Sequence, residues 1–326
     1  MAVPGSRCPG VARTRSSSLS RESDRPIILD GGLSNALEDR GHDLSDALWS
    51  ARLLKDAPDE IAAVHRAYYE AGAMVATTAS YQASVVGFER VGVPRAEAER
   101  LIASSVRIAR EVRDSFTDGL RRLVAASVGP YGAMLADGSE YRGRYGVSAA
   151  TLRDFHGPRM ELLISAEPDM LAVETIPDTF EAEVLVELLA ELDFPAWFSY
   201  SISGAHTRAG QPLTDAFAIP TIDQVFAVGI NCCTPDDVRP AVETAVTITG
   251  KPAIAYPNTG ETWDATARHW TGHRTTPATT APLTSDSSLA PDPSLASAWF
   301  AAGATYIGGC CRVGPDDIRA LADAMG

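Results

Sequence analysis

Phe226-Ala227-Val228-Gly229-Ile230-Asn231-Cys232-Cys233 and Thr305-Tyr306-Ile307-Gly308-Gly309-Cys310-Cys311 follow one plan, a short apolar run that ends in small and polar residues. The runs Phe226 to Ile230 and Thr305 to Gly308 read as strands. Similar runs occur at Ile27 to Leu29, Ala73 to Thr78, Leu123 to Val128, Met170 to Glu174, Ala196 to Ser201 and Pro252 to Tyr256. Helical patterns fill most of the gaps: Asp59 to Ala71, Arg95 to Phe116, Ala149 to Ala166, Thr179 to Leu192, Pro235 to Thr247, Ser294 to Ala302 and Pro315 to Met325. Asp59 and Asp178 are expected as helix caps, and Pro235 and Pro315 sit where a first helical turn tolerates proline. Strands alternating with helices in this way predict an α/β fold, a TIM-type (β/α)8 barrel forming a single domain over residues 25–326. A doubly wound sheet would carry a G-x-G-x-x-G turn after an early strand, and no such spacing is present.

The chain has 326 residues, a length that one barrel with insertions can occupy. With 45% hydrophobic and 21% charged residues it can build a sizeable core, which excludes a wholly disordered chain. Its net charge of -14 supplies no field toward phosphate backbones or anionic lipid, so no nucleic-acid or membrane partner is expected. The same charge mildly favours approach of a cationic small molecule. Charges and prolines interrupt every apolar stretch before it reaches membrane-spanning length. Residues 1–24 are Arg/Ser/Gly/Pro-rich and aperiodic, and are expected to be a disordered extension. The stretches at 201–218 and 266–293 break the alternation, and the second reads as a long low-complexity loop.

Barrel enzymes place their chemistry at the C-terminal strand ends, which surround one mouth. Here those ends carry Asp30-Gly31-Gly32, Thr77-Thr78-Ala79-Ser80-Tyr81-Gln82, Ser127-Val128-Gly129-Pro130-Tyr131-Gly132, Glu174-Thr175, Asn231-Cys232-Cys233, Tyr256-Pro257-Asn258 and Gly309-Cys310-Cys311. Five cysteines, one in the leader and two adjacent pairs, do not follow a secreted disulfide spacing, so a reducing, cytoplasmic setting is expected. In a barrel, Cys232 meets Cys310 and Cys311 across the rim and three thiolates become available. Three protein ligands leave the fourth position of tetrahedral zinc open, as catalytic sites require. Small buried hydrophobes remain the alternative reading of the same cysteines. The six histidines at 42, 65, 156, 206, 269 and 273 lie outside these loops and read as surface, helix or loop residues.

From Asp30 to Gly326 the chain resembles the homocysteine S-methyltransferase family. The resemblance rests on Leu29-Asp30-Gly31-Gly32, Asp46-Ala47-Leu48-Trp49-Ser50, Thr77 to Gln82, Ser127 to Gly132, Asp137 to Gly143, Glu174-Thr175, Gly229-Ile230-Asn231-Cys232, Tyr256-Pro257-Asn258 and Gly308-Gly309-Cys310-Cys311, in matching order and spacing. It implies that Cys232, Cys310 and Cys311 bind Zn2+, and the choice of Cys232 over Cys233 rests on it. Asp30 and Glu174 would then take the amino-acid end of homocysteine, with Gly31, Thr78, Ser80 and Asn231 as further substrate contacts. The Asp46 to Ser50 and Asp137 to Gly143 segments are similar to the branch that uses S-methylmethionine or S-adenosylmethionine as donor. Trp49, Tyr81, Tyr131 and Tyr141 are candidates to face that sulfonium, each cation-π contact contributing about 0.5 to 2 kcal/mol. The implied reaction is attack of a zinc-held homocysteine thiolate on the donor methyl to give methionine. A zinc-binding barrel that senses redox state without catalysis is the alternative. Oligomeric state is left open.

Overall fold

The computed structural model describes residues 24–45, 48–264, 269–271, 274–279 and 294–326. Among these, eight parallel strands are each followed by a helix of an outer ring. The strands are β1 (Ile27–Ile28), β2 (Val75–Thr77), β3 (Leu123–Val128), β4 (Met170–Ile176), β5 (Ala196–Ser203), β6 (Val225–Asn231), β7 (Ala253–Tyr256) and β8 (Ala304–Ile307). The ring helices are α1 (Pro58–Glu70), α2 (Arg95–Asp114), α3 (Ala149–Ser165), α4 (Thr179–Leu192), α5 (Leu213–Phe217), α6 (Pro235–Thr249), α7 (Leu295–Ala302) and α8 (Pro315–Met325). Hydrogen bonding runs from β1 through β8, β7, β6, β5, β4 and β3 to β2. A parallel bridge between Leu29 and Val75 closes the circle, with Met74 N donating to Ile28 O at 2.7 Å and Asp30 N to Val75 O at 3.1 Å. The expected (β/α)8 barrel is the observed fold.

Side-chain alternation divides the apolar residues between two layers. Leu29, Val75, Met170, Trp197, Ile254, Tyr256 and Tyr306 fill the barrel interior together with Ala125, Ala172 and Ala227. Alternate residues such as Leu171, Val173, Phe198, Tyr200, Val228 and Ile230 face outward into the layer shared with the helices. Mixing large rings with alanines lets the interior fill without a pore. Continued by two residues, the inward face of β3 reaches Ser127, that of β4 Glu174 and that of β5 Ser199, and continued by four, that of β6 reaches Asn231. The polar top of the barrel is therefore set by the same period as its apolar middle.

Several local expectations need correction. Asp178 caps α4 through Phe180 N, but Asp59 is no cap: Ala57 holds that position and Asp59 lies in the first turn of α1 after Pro58. The 201–218 stretch is more regular than expected. Strand β5 continues to Ser203, pairs antiparallel with His206–Thr207, and α5 follows. Part of the 266–293 stretch also has structure, because His269–Thr271 pairs with Thr262–Asp264, and Thr275 N and Leu295 N bond Thr259 O and Thr279 O. Residues 265–268, 272–273 and 280–293, like the leader 1–23, lie outside the described residues. His65 and His156 lie in helices, as expected of residues in the Asp59 to Ala71 and Ala149 to Ala166 patterns, and both are fully buried. Among the described residues no helix is long and apolar enough to cross a membrane.

Candidate active site

At the C-terminal mouth, β6 delivers Cys232 and the turn after β8 delivers Cys310 and Cys311, whose sulfurs all lie within 4.8 Å of one another. Sulfurs of a tetrahedral zinc site with Zn–S near 2.3 Å would stand about 3.8 Å apart. Cys232 Sγ and Cys311 Sγ are separated by 3.7 Å, so the cluster fits such an ion. Cys232 turns toward the mouth because its backbone is left-handed, at φ 52°. Such strain in a residue with a Cβ persists only where the surroundings hold it, and here its N–H donates to Tyr256 O at 3.3 Å. Cys233 faces the opposite way, buried in the layer between barrel and helices.

The two cysteine loops are joined by the turn after β7. Asn258 N donates to Cys233 O at 2.9 Å, Cys311 N donates to Asn258 Oδ1 at 3.0 Å, and Cys310 N donates to Pro257 O at 2.8 Å. Gly308 is needed because a Cβ there would stand 2.6 Å from Leu29 Cβ and 2.7 Å from Asp30 O. Hydrogen bonds from Cys310, Cys311 and Tyr141 hold the Cys232 thiol well below its ordinary value. The Cys310 thiol is pushed up, first through its hydrogen bond to Cys232 and also by burial. Burial pushes the Cys233 thiol up, which keeps it an inert packing residue.

Beneath the thiols lies a chain of hydrogen bonds across five strands. Ser127 Oγ donates to Glu174 Oε1, Tyr256 OH donates to Glu174 Oε2 at 3.1 Å, and Trp197 Nε1 donates to Tyr256 OH at 3.0 Å. Asn231 Oδ1 accepts from Thr175 N at 2.7 Å and Ser199 Oγ at 2.9 Å, while its Nδ2 donates to Thr175 Oγ1 at 2.7 Å. Thr175 is left-handed too, at φ 59°, and lies where the β4–β5 register shifts. Asp30 accepts from Thr77 N at 2.6 Å and Thr77 Oγ1 at 2.9 Å. Burial raises its carboxyl to about 8 despite those bonds. Burial likewise raises Glu174 to about 7. Neither has a cation bonded to it among the described residues, so each is a buried carboxyl group that an arriving cationic ligand group would help to ionise.

The chain matches the homocysteine S-methyltransferase family model over residues 27–325. It belongs to that family. It is 43% identical to the Bacillus subtilis homocysteine S-methyltransferase YbgG, over 91% of this chain and 93% of the relative. The Escherichia coli homocysteine S-methyltransferase is 42% identical over 90% and 94% of the two chains. The metallated form of the Escherichia coli homocysteine methyltransferase MmuM superposes with a TM-score of 0.79 at 39% identity, covering 93% of this chain and 97% of that one. The protein is accordingly a methyltransferase acting on homocysteine.

Within this family frame the sequence-derived residues fall into two groups. Cys232, Cys310, Cys311, Asp30, Glu174 and Asn231 converge on the mouth as described. Thr78 and Ser80 hydroxyls lie 2.7 Å apart and tie β2 to β3 through Ser127, which leaves both engaged in structure. Gly31 allows close packing, since a Cβ there would stand 2.2 Å from Val313 O. Tyr141 OH lies 3.5 Å from Cys232 Sγ. Tyr81 packs its ring on Gly129, where a Cβ would stand 2.6 Å from it. Tyr131 instead packs against Tyr145 and Phe155, and Trp49 is exposed at φ 48°. Asp46 and Ala47 lie outside the described residues.

Sequence reading missed Arg159, which is buried in α3 and donates to Gly129 O, Ser80 O and Tyr81 O at 3.1, 3.0 and 2.8 Å. It holds the β2 and β3 loops together. It also missed Asn258 as the link between cysteine loops, and Glu140, whose buried Oε2 lacks a hydrogen-bond partner. No spacing signal marks Arg159, which acts on segments distant in sequence; Asn258 and Glu140 fall within the Tyr256-Pro257-Asn258 and Asp137 to Gly143 motifs, but the link that Asn258 makes between the two cysteine loops is not visible there.

Proposed function

We propose that this methyltransferase uses a sulfonium donor, S-methylmethionine or S-adenosylmethionine, and binds Zn2+ through Cys232, Cys310 and Cys311. The observation that carries the reading is the convergence of three thiols at tetrahedral spacing with no fourth protein ligand among the described residues. An all-sulfur set suits alkylation of sulfur better than hydrolysis, where His and carboxylate ligands are more usual. Zinc, when bound, supplies the charge that lets a thiol lose its proton at neutral pH.

That deprotonation contributes only about 2 kcal/mol, because an ordinary thiol is already a few per cent ionised at pH 7. Alignment of acceptor sulfur, methyl carbon and leaving sulfur contributes the larger share, up to roughly 7 to 11 kcal/mol. Asp30 and Glu174 bind the acceptor's ammonium, with Gly31, Thr78, Ser80 and Asn231 shaping the surrounding wall. Tyr141, with Tyr81, offers aromatic faces and hydroxyls beside the thiols, while Trp49 and Tyr131 are peripheral donor contacts. In the transfer a new S–CH3 bond forms on homocysteine as the donor's S–CH3 bond breaks. The electron pair leaves on the donor sulfur as a neutral thioether, so no general acid is needed. Four free thiols among the described residues support a reducing, cytoplasmic setting.

Mass spectrometry of mixtures containing homocysteine and either sulfonium or betaine tests the reading, alongside metal analysis. Methionine should form with a sulfonium, and chelation should abolish it. Turnover by metal-free protein, or with betaine alone, would overturn the proposal.

A further inference from the structure

The amino-acid end of a sulfonium donor carries an α-carboxylate, and a carboxylate drawn into this acidic mouth needs a cation. The chain has 42 Asp and Glu against 28 Lys and Arg, so an uncommitted guanidinium at the site is unusual. Most arginines near the mouth are engaged. Arg159 is spent on three carbonyls, Arg312 is paired with Glu261 at 3.0 Å, and Arg144 donates to Ala209 O at 2.7 Å.

Arg208 differs. It follows β5 in the short antiparallel turn, and its backbone N–H donates to Ser201 O at 3.1 Å, which pins its Cα at the rim. Its guanidinium carbon lies 5.9 Å from the centre of the Tyr141 ring, whose hydroxyl reaches Cys232 Sγ. Its Nε makes only a long bond to Ser201 Oγ, at 3.4 Å, and Ser201 Oγ in turn donates to Cys232 O at 3.4 Å. Among the described residues its two terminal nitrogens have no hydrogen-bonded carboxylate or carbonyl.

We infer that Arg208 binds the α-carboxylate of the methyl donor. The inference rests on the reading that the donor is an amino-acid sulfonium. Two parallel N–H donors match a carboxylate, and the Tyr141 ring restricts where the guanidinium can lie, so little ordering is needed on binding. Homocysteine has a carboxylate of the same kind. Asp30 and Glu174, at the ends of β1 and β4, receive its amino-acid end, whereas Arg208 belongs to the β5 side of the mouth. The carboxylate on Arg208 also keeps the guanidinium from repelling the sulfonium, since the two cations then share an anion.

Steady-state kinetics of the zinc-loaded parent and Arg208→Gln test this with two donors. One is S-methylmethionine and the other is dimethyl(3-aminopropyl)sulfonium, the same donor without its carboxylate. The variant should raise the S-methylmethionine KM about ten- to hundredfold, as loss of a charge-assisted pair predicts. The homocysteine KM and zinc content should stay unchanged, and parent and variant should be alike on the analogue. Arg208→Lys should fall between them, and it replaces the glutamine variant if that one does not fold. An unchanged donor KM, an equal loss on both donors, or a loss confined to homocysteine would overturn the role of Arg208. Absence of turnover by the parent with the sulfonium donor would instead overturn the donor reading, and this role with it.

Discussion

Cys232 Sγ lies 3.7 Å from Cys311 Sγ, although 79 positions separate them in the chain. The pair is brought together by the neighbouring turn after β7 and needs no covalent link. Replacing Cys311 with Ala should therefore remove bound metal and lower activity at least roughly a hundredfold, since even outer-shell changes cost 10- to 100-fold. Cys233→Ala should keep both metal and activity, at a stability cost of about 1 kcal/mol from the small cavity left in the helix layer. Metal content by mass spectrometry and the urea midpoint of each variant check the contrast. Metal loss in Cys233→Ala would reverse the assignment of the doublet.

Glu174 titrates at about 7 in the folded chain, against an ordinary value of 4.5, chiefly because it is buried. A raised carboxyl pKa means that the folded state holds the proton more tightly than the unfolded state. Its contribution to stability is full below the ordinary value and is lost as pH rises through about 7. The loss amounts to as much as about 3 kcal/mol. Asp30, raised to about 8, acts in the same direction over a wider window. Urea midpoints of the metal-free protein should thus fall between pH 5 and 8, and less steeply in Glu174→Gln. The same variant should raise the homocysteine KM about ten- to hundredfold while zinc content holds. A midpoint that rises with pH would mean that the carboxylates are already ionised in the fold.

Gly229 lies inside β6 where a Cβ would stand 1.9 Å from Ile254 O on β7. Backbone cannot yield there without breaking the β6–β7 pairing that carries Cys232. Gly229→Ala should cost more than about 3 kcal/mol and fail to hold metal. Gly41 makes a useful contrast: its Cβ would meet nothing within 4 Å, but its φ is 93°. Gly41→Ala should cost only about 1 kcal/mol. Thermal midpoints of the two variants decide the point, and equal shifts would remove the steric argument at Gly229.

Much of the barrel is legible locally. Leu123–Val128, Thr179–Leu192 and Pro315–Met325 coincide with the elements expected from periodicity, and most other ends differ by one or two residues. Helix α5 escaped because five residues carry too little of a 3.6-residue period to stand out. The hairpin of Thr262–Asp264 with His269–Thr271 escaped for a similar reason, as two three-residue strands leave almost no alternation to read. Asp59 was misplaced as a cap because Pro58 already opens α1, leaving Ala57 at the boundary.

The sequence by itself determined the alternation of strand and helix, the polar residues at the strand ends and the two cysteine doublets, because these depend on neighbours a few residues away. Only the tertiary structure decided which cysteine of the first doublet faces the mouth, through the left-handed turn at Cys232. It alone decided that Ser127, Glu174, Tyr256 and Trp197 form one hydrogen-bonded chain, and that Arg208 stands over Tyr141 with its terminal nitrogens uncommitted. Those relationships follow from the register between strands far apart in the chain. A shift of one residue would turn each of these side chains to the other face of its strand.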